Sequence, residues 1–181
     1  MKINVGKPSD CEARQERENR VYTCLEGLNI AYEQVDHEAA LTMEDCLAID
    51  EALGVSMCKN LFLCNRQETE FYLLLMPADK PFRTKELSAQ IGSARLSFAK
   101  ETHMLELLDI HPGAVSVMGL MNDREGQVQL LIDEDLLKNE HLGCHPCVNT
   151  SSMKLTTKDV LEVFLPAVRH LPRTVSLTGA V

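Results

Sequence analysis

An α+β domain built on antiparallel hairpins is the fold that this 181-residue sequence predicts, on three observations. Helical and extended segments alternate through most of the chain. Strand-like apolar runs come in pairs separated by short polar turns. No internal repeat, low-complexity block or linker interrupts them, so residues 1–181 are expected to form one domain. The length suffices for a hydrophobic core, and 45% apolar content is ordinary for a globular protein.

The elements follow in order. Ser9-Asp10-Cys11-Glu12 has a capping-box pattern and predicts a helix running to Gly27, whose lack of a side chain suits a helix end. IAYEQVDH alternates as a strand, and LTMEDCLAIDEAL places Leu41, Cys46, Leu47, Ile49 and Leu53 on an approximate helical stripe before Gly54. CKNLFLCN and TEFYLLLMP, separated by the polar NRQE, predict a hairpin buried on both faces. TKELSAQIG reads as helix, ARLSFA as extended chain and KETHMLELL as helix. HPGAVSVMGLM and GQVQLLID around NDRE predict a second hairpin. KLTTKDVLEVFLPAVRH predicts a last amphipathic helix capped by Thr156 or Thr157, and VSLTGAV a loose tail.

Eighteen Lys and Arg stand against 27 Asp and Glu, a net charge of −9, which opposes the broad phosphate-tracking surface of a general DNA binder. A polyanionic partner is therefore expected at a local site. No apolar run approaches the roughly 18 residues of a membrane span, and the first segment lacks the apolar stretch of a secretory signal. The seven cysteines are odd in number and lie mostly in apolar segments, where reduced Cys behaves as a small hydrophobe. These features predict a cytoplasmic protein without a disulfide framework or membrane partner.

The densest chemistry lies in GCHPCVNTSS, residues 143–152. Cys144 and Cys147 have the spacing of a zinc half-site, with His141 a conceivable third ligand. Four ligands are needed, however, and the other cysteines read as core, so no metal and no cofactor is expected. A redox pair would open a helix, whereas Pro146 and VNTSS favour a looped backbone. Lys59 places one ammonium at the start of an apolar strand, which reads either as a solvated strand end or as a point charge at a pocket rim. PGAVSVMGL reads as a turn entering a core strand, or as a strand entry whose backbone N–H groups face a ligand.

Taken together, Lys59-Asn60-Leu61-Phe62-Leu63, Lys85-Glu86-Leu87, Ala94-Arg95-Leu96-Ser97-Phe98-Ala99, Pro112-Gly113-Ala114-Val115-Ser116, Asn122-Asp123, His145-Pro146 and Asn149-Thr150 resemble, in order and spacing, the YbaK/ProX superfamily over roughly residues 20–170. The likeness points to its free-standing prolyl-tRNA synthetase-associated editing group. The resemblance implies a mixed, mostly antiparallel, barrel-like sheet core flanked by helices. It also implies hydrolysis of the ester joining a wrong amino acid to the acceptor end of a tRNA, most simply alanine on proline tRNA. Alternatives are another small aminoacyl ester, such as cysteinyl-tRNA, or a non-catalytic module that binds tRNA or a synthetase.

The same resemblance implies roles. Lys59 would hold the terminal nucleotide, and His145 would shape the aminoacyl pocket or bond the ester or a water. Asn149 and Thr150 would support that loop, while Gly113, Ala114, Val115 and Ser116 form a substrate loop with oxyanion-binding N–H groups. Aminoacyl-tRNA is the implied substrate, and prolyl-tRNA synthetase an implied partner. Val117 stands where the family loop usually has proline, removing a φ restraint. Elsewhere, His37 reads as a surface residue in preference to a pocket residue, and His103, His111 and His170 as surface positions without a role. Lys80, Arg83, Lys85, Arg95 and Lys100 form a basic cluster that meets either solvent or an acceptor stem.

Overall fold

The computed structural model describes residues 1–40 and 42–180, and its frame is two sheets with helices against them. A four-stranded antiparallel sheet has the order β1 (Ile3–Val5), β2 (Glu33–Asp36), β8 (Ser151–Thr156), β7 (His141–Cys144). A five-stranded sheet has the order β5 (Ser97–Phe98), β3 (Lys59–Cys64), β4 (Phe71–Met76), β6 (Val128–Asp133), β9 (Arg173–Val175). Its β5–β3–β4 part is antiparallel, whereas β4–β6 and β6–β9 are parallel. The expected α+β class is present, but the barrel-like closure is not. Each sheet ends on at least one strand of two or three residues, too short to carry pairing around to the other sheet. Between the sheets runs one isolated parallel bridge, Met57 to Gly143.

The first hairpin forms as expected, with Lys59 opposite Met76 and Cys64 opposite Phe71. Its alternation divides the core. Phe62, Cys64, Phe71, Leu73 and Leu75 face one apolar cluster, while Leu63, Tyr72, Leu74 and Met76 face another with Leu87 and Leu96. Burying each large side chain is worth about 1.5–3 kcal/mol, so this doubly covered strand pair anchors the structure. Helix α1 (Glu16–Gly27) adds Val21, Tyr22 and Leu25 to the first cluster, and α4 (Glu101–Leu108) adds Met104, Leu107 and Leu108. Helix α3 (Thr84–Ile91) covers the second cluster through Leu87.

Several elements differ from expectation. Cys11–Ala13 is a 3-10 turn, and α1 starts only at Glu16. Arg14 is extended between them, with its guanidinium paired to Asp10, Glu18 and Asp36, and these pairings hold the chain out of a continuous helix. Helix α2 (Met43–Leu53) begins in a reciprocal Thr42–Asp45 capping box and ends at left-handed Gly54. Only Ile49 and Leu53 of its expected stripe are buried; Cys46 and Leu47 are exposed, and Leu41 lies outside the described residues.

The second hairpin does not form. Val117–Asn122 is a 3-10 helix, started by the Ser116 hydroxyl accepting from the Met118 N–H, and β6 pairs parallel to β4 instead. Gly119 allows this close packing, since a Cβ there would lie 2.6 Å from Ile110 Cδ1. The C-terminal helix forms over Thr157–Asp159, Val160–Phe164 and Leu165–Ala167, with a π-helical middle and Thr156 as its cap. Most of the expected loose tail is bound: β9 adds to the sheet, and Thr178 and Gly179 donate N–H groups to Glu86. Val181 lies outside the described residues.

Candidate functional site

The His145 bend and the Gly113 turn meet beside the seam between the sheets, and Lys59 opens the strand that the seam ties to β7. The backbone bridge from Met57 to Gly143, together with a 3.5 Å contact from Cys58 Sγ to the Gly143 carbonyl, ties the entry of β3 to the middle of β7. Lys59 opens β3 and His145 follows β7 directly, so the seam sets the separation of their backbones. Lys59 is half-buried, and its ammonium donates to the Lys80 carbonyl at 2.8 Å. The bare strand-end reading therefore gives way to a lysine held against a neighbouring turn.

His145 begins the bend that joins β7 to β8. One ring nitrogen, Nδ1, lies 2.8 Å from the Ser151 carbonyl. A carbonyl only accepts, so Nδ1 carries the proton and Nε2 keeps its lone pair. Burial is the main reason the imidazole is held below its ordinary range, and neighbouring His37 pushes the same way. At neutral pH this is an uncharged ring with a fixed tautomer.

His37 is not a surface histidine. It is half-buried, its ring centroid lies 6.2 Å from that of His145, and its N–H bonds the Thr150 carbonyl at 3.0 Å. Its Nδ1 donates to the Glu38 carbonyl at 2.7 Å, which leaves Nε2 to accept from the Ser152 hydroxyl at 2.8 Å. Ser152 Oγ also lies 3.4 Å from His145 Nδ1 and so links the two rings. Behind them, the Ser151 hydroxyl contacts the Val35 carbonyl and the Asp36 carboxylate, each at 3.1 Å. The Arg14 guanidinium, bonded to Asp36, holds that carboxyl below its usual range.

The glycine-led turn packs against the His145 loop. Gly113 has φ +88, where an L side chain is strained, and a Cβ on it would lie 3.6 Å from Asn149 Nδ2. Ser116 donates its hydroxyl to the His145 carbonyl at 2.6 Å and so fastens the two loops together. Ala114 is buried, and its N–H closes the turn onto the His111 carbonyl. Among the described residues, the N–H groups of Val115 and Ser116 meet no acceptor. Val117, where the resemblance expects proline, is 1% exposed, so burial and the Ser116 cap restrain this stretch without a ring.

The cysteines have a different character. Cys144 and Cys147 are buried and precede no helix. Burial pushes the Cys58 thiol up to about 11 and the Cys147 thiol up to about 12, and raises Cys144 as well, which leaves all three as weak nucleophiles. Among the described residues, no group of three or more His, Cys, Asp or Glu is placed to hold a metal. Three cavities, of about 620, 580 and 520 Å³, lie away from the seam, lined by residues other than Lys59, His145 and the Gly113 turn.

Sequence reasoning missed Ser151 and Ser152 and undervalued His37, because their roles depend on β2 pairing with β8 more than a hundred residues away. Their only sequence signal was the crowding of hydroxyl residues after His145. The buried His170–Asp123 contact at 2.8 Å was also missed; His170 is 4% exposed and not on the surface.

The fold has solved counterparts. A protein described as a trans-editing enzyme for prolyl tRNA synthetase superposes with a TM-score of 0.68 at 17% identity, covering 92% of this chain and 99% of that one. That likeness defines a class of small two-sheet α+β proteins. In sequence, the family model described as the aminoacyl-tRNA editing domain matches residues 37–163, and the chain belongs to that family of deacylases. The Prolyl-tRNA editing protein ProX of Acetoanaerobium sticklandii is 30% identical, over 85% of this chain and 92% of its own. A Prolyl-tRNA synthetase associated domain-containing protein 1 from Danio rerio is 32% identical, over 82% and 80% respectively.

Proposed function

We propose that this protein is a free-standing editing hydrolase that removes alanine from mischarged proline tRNA, working alongside prolyl-tRNA synthetase. What supports the reading is a neutral histidine of fixed tautomer fastened to a glycine-led turn with two unclaimed backbone N–H groups, and a half-buried lysine two residues beyond the bridge that ties its strand to the histidine's. The names of the relatives, a prolyl-tRNA editing protein and synthetase-associated proteins, support the choice of tRNA.

In this reading, Lys59 leaves the Lys80 carbonyl to bind the phosphate or hydroxyls of the terminal nucleotide, as an ammonium suits. The Val115 and Ser116 N–H groups face the ester oxygen as it gains charge. His145 offers its Nε2 lone pair to the amino group or to the attacking water, and the neighbouring ribose hydroxyl helps deliver that water. The bond that breaks is the ester C–O; the ribose oxygen takes the proton that the water gives up. Such an enzyme is useful because a synthetase pocket rejects a smaller apolar side chain by only about 1–3 kcal/mol, which leaves a second sieve to remove the small product.

A substrate panel tests the specificity. Ala-, Cys- and Pro-tRNA(Pro) are incubated with the protein in single turnover. The proposal expects the alanyl ester to disappear fastest and the prolyl ester to persist at the buffer rate. Faster loss of cysteine would reassign the pocket, and loss of proline would overturn the sieve.

A further inference from the structure

The two serines of β8 are not equivalent at the His145 ring. Ser151 presents its backbone carbonyl, 2.8 Å from Nδ1, and a carbonyl only accepts. Ser152 presents its hydroxyl, 3.4 Å from the same nitrogen, and a hydroxyl either accepts or donates. The direction it takes bears on the tautomer. As an acceptor, Ser152 supports the proton on Nδ1 and leaves the Nε2 lone pair free. As a donor, it claims the Nδ1 lone pair and moves the ring proton to Nε2, where no lone pair is then left for an amino group or a water.

His37 sets that direction. Its Nδ1 lies 2.7 Å from the Glu38 carbonyl and therefore carries the proton of the neutral ring, which leaves Nε2 as an acceptor 2.8 Å from Ser152 Oγ. A serine hydroxyl has one proton, and the shorter contact takes it. The chain of hydrogen bonds then has one polarity: His145 Nδ1–H faces Ser152 Oγ, the Ser152 hydroxyl donates to His37 Nε2, and His37 Nδ1–H donates to the Glu38 carbonyl. Ser152 is 0% exposed, so water offers its hydroxyl no substitute for the His37 nitrogen. The backbone of His37 is held separately. Its N–H bonds the Thr150 carbonyl at 3.0 Å, one step past the Asp36–Ser151 pair that ends the β2–β8 ladder. A change of side chain at position 37 therefore leaves the strand pairing in place.

We infer that His37 is a positioning residue for His145: by accepting the Ser152 proton, it keeps that hydroxyl from donating to His145 and so keeps the His145 Nε2 free as an acceptor. It acts through Ser152 and not on the substrate. The consequence for hydrolysis rests on the proposed function, whereas the tautomer does not.

The test reads the His145 tautomer from its ring-nitrogen chemical shifts in the full chain labelled with 15N-histidine, at pH 8 where histidine is ordinarily neutral. Single-turnover deacylation of Ala-tRNA(Pro) is measured beside it. Wild-type His145 shows its proton on Nδ1. His37→Leu frees the Ser152 hydroxyl to donate to His145, so the tautomer ratio shifts about 3- to 10-fold toward Nε2–H, and the rate falls with the fraction of the Nδ1–H form that is lost. His37→Gln restores an acceptor oxygen and keeps the wild-type ratio. Ser152→Ala alone also keeps Nδ1–H, because the Ser151 carbonyl remains. The deciding variant is His37→Leu/Ser152→Ala. It removes the misdirected hydroxyl, so its ratio and rate return above those of His37→Leu, whereas a merely structural role for His37 would make the double variant worse than either single one. A wild-type ratio in His37→Leu would overturn the inference, as would a double variant no better than His37→Leu. If the tautomer shifts appeared while wild-type protein hydrolysed no ester, only the proposed function would fall.

Discussion

Gly143→Ala tests whether the seam between the sheets positions the site. A methyl at this position would lie 2.7 Å from Met57 Sδ, 3.1 Å from Val55 Cγ1 and 3.3 Å from Met57 Cα. The sulfur is the end of a flexible side chain and can swing away. The Met57 backbone cannot do so without lifting the segment that leads into Lys59, because its bridge partner is Gly143 itself. Overpacking of this kind costs about 1–3 kcal/mol. In a chain of this length that lowers the melting temperature by about 2–12 °C. A displacement of the lysine relative to His145 on the order of 1 Å would reduce single-turnover hydrolysis by about a hundredfold. The assay pairs a thermal melt with single-turnover deacylation, for Gly143→Ala and for Gly143→Ala/Met57→Ala. Removing the sulfur relieves only the shortest contact, so the double variant should recover more stability than additive single effects allow. A Gly143→Ala protein that melted within 1 °C of wild type and kept its rate would refute the reasoning.

Other consequences follow from individual groups. Burial holds His145 below its ordinary 6.5, so the acid limb of kcat/KM should lie below pH 6.5; a limb above that value would contradict the neutral-ring assignment. In the same window the unfolded chain takes up a proton that the folded chain resists, so stability from urea melts should fall as pH drops below about 6.5. His170→Leu removes one of three donors to the buried Asp123 carboxylate, which keeps the Gln127 and Val128 N–H groups, and should cost about 1–3 kcal/mol in a denaturant melt. Iodoacetamide at pH 8 should modify exposed Cys46 at least about a hundredfold faster than Cys147, and Cys147→Ala should keep deacylase activity; equal labelling would contradict the buried, inert thiol.

Much of the fold was legible because local periodicity and burial coincide. The doubly buried hairpin announced itself through FLC and FYLLLM, and the Thr42 box and Gly54 marked α2 by their chemistry. The reading failed where tertiary contacts overrode the local pattern. VSVMGL alternates like a strand, yet Ser116 caps a 3-10 turn and Gly119 packs against α4, so the segment coils. Ser9 and Glu12 look like a helix start, but the Arg14 ion pairs reach across to β2. At the site, Lys59 and His145 were visible as chemistry out of place in their segments. The partnership of His37 with Ser152 was not, because it depends on strand pairing across more than a hundred residues.

The central claim, that the seam of Lys59, His145 and the Gly113 turn hydrolyses an aminoacyl ester, is tested most directly by single-turnover deacylation of Ala-tRNA(Pro) with wild type and Lys59→Ala. Among the described residues the Lys59 ammonium makes one hydrogen bond, to the Lys80 carbonyl, so the variant should melt near wild type. Losing a charge-assisted contact of about 1.5–3 kcal/mol should slow its hydrolysis by about 10- to 150-fold. An Ala-tRNA(Pro) lifetime equal to that in buffer with wild-type protein, or a folded Lys59→Ala protein as fast as wild type, would contradict the claim.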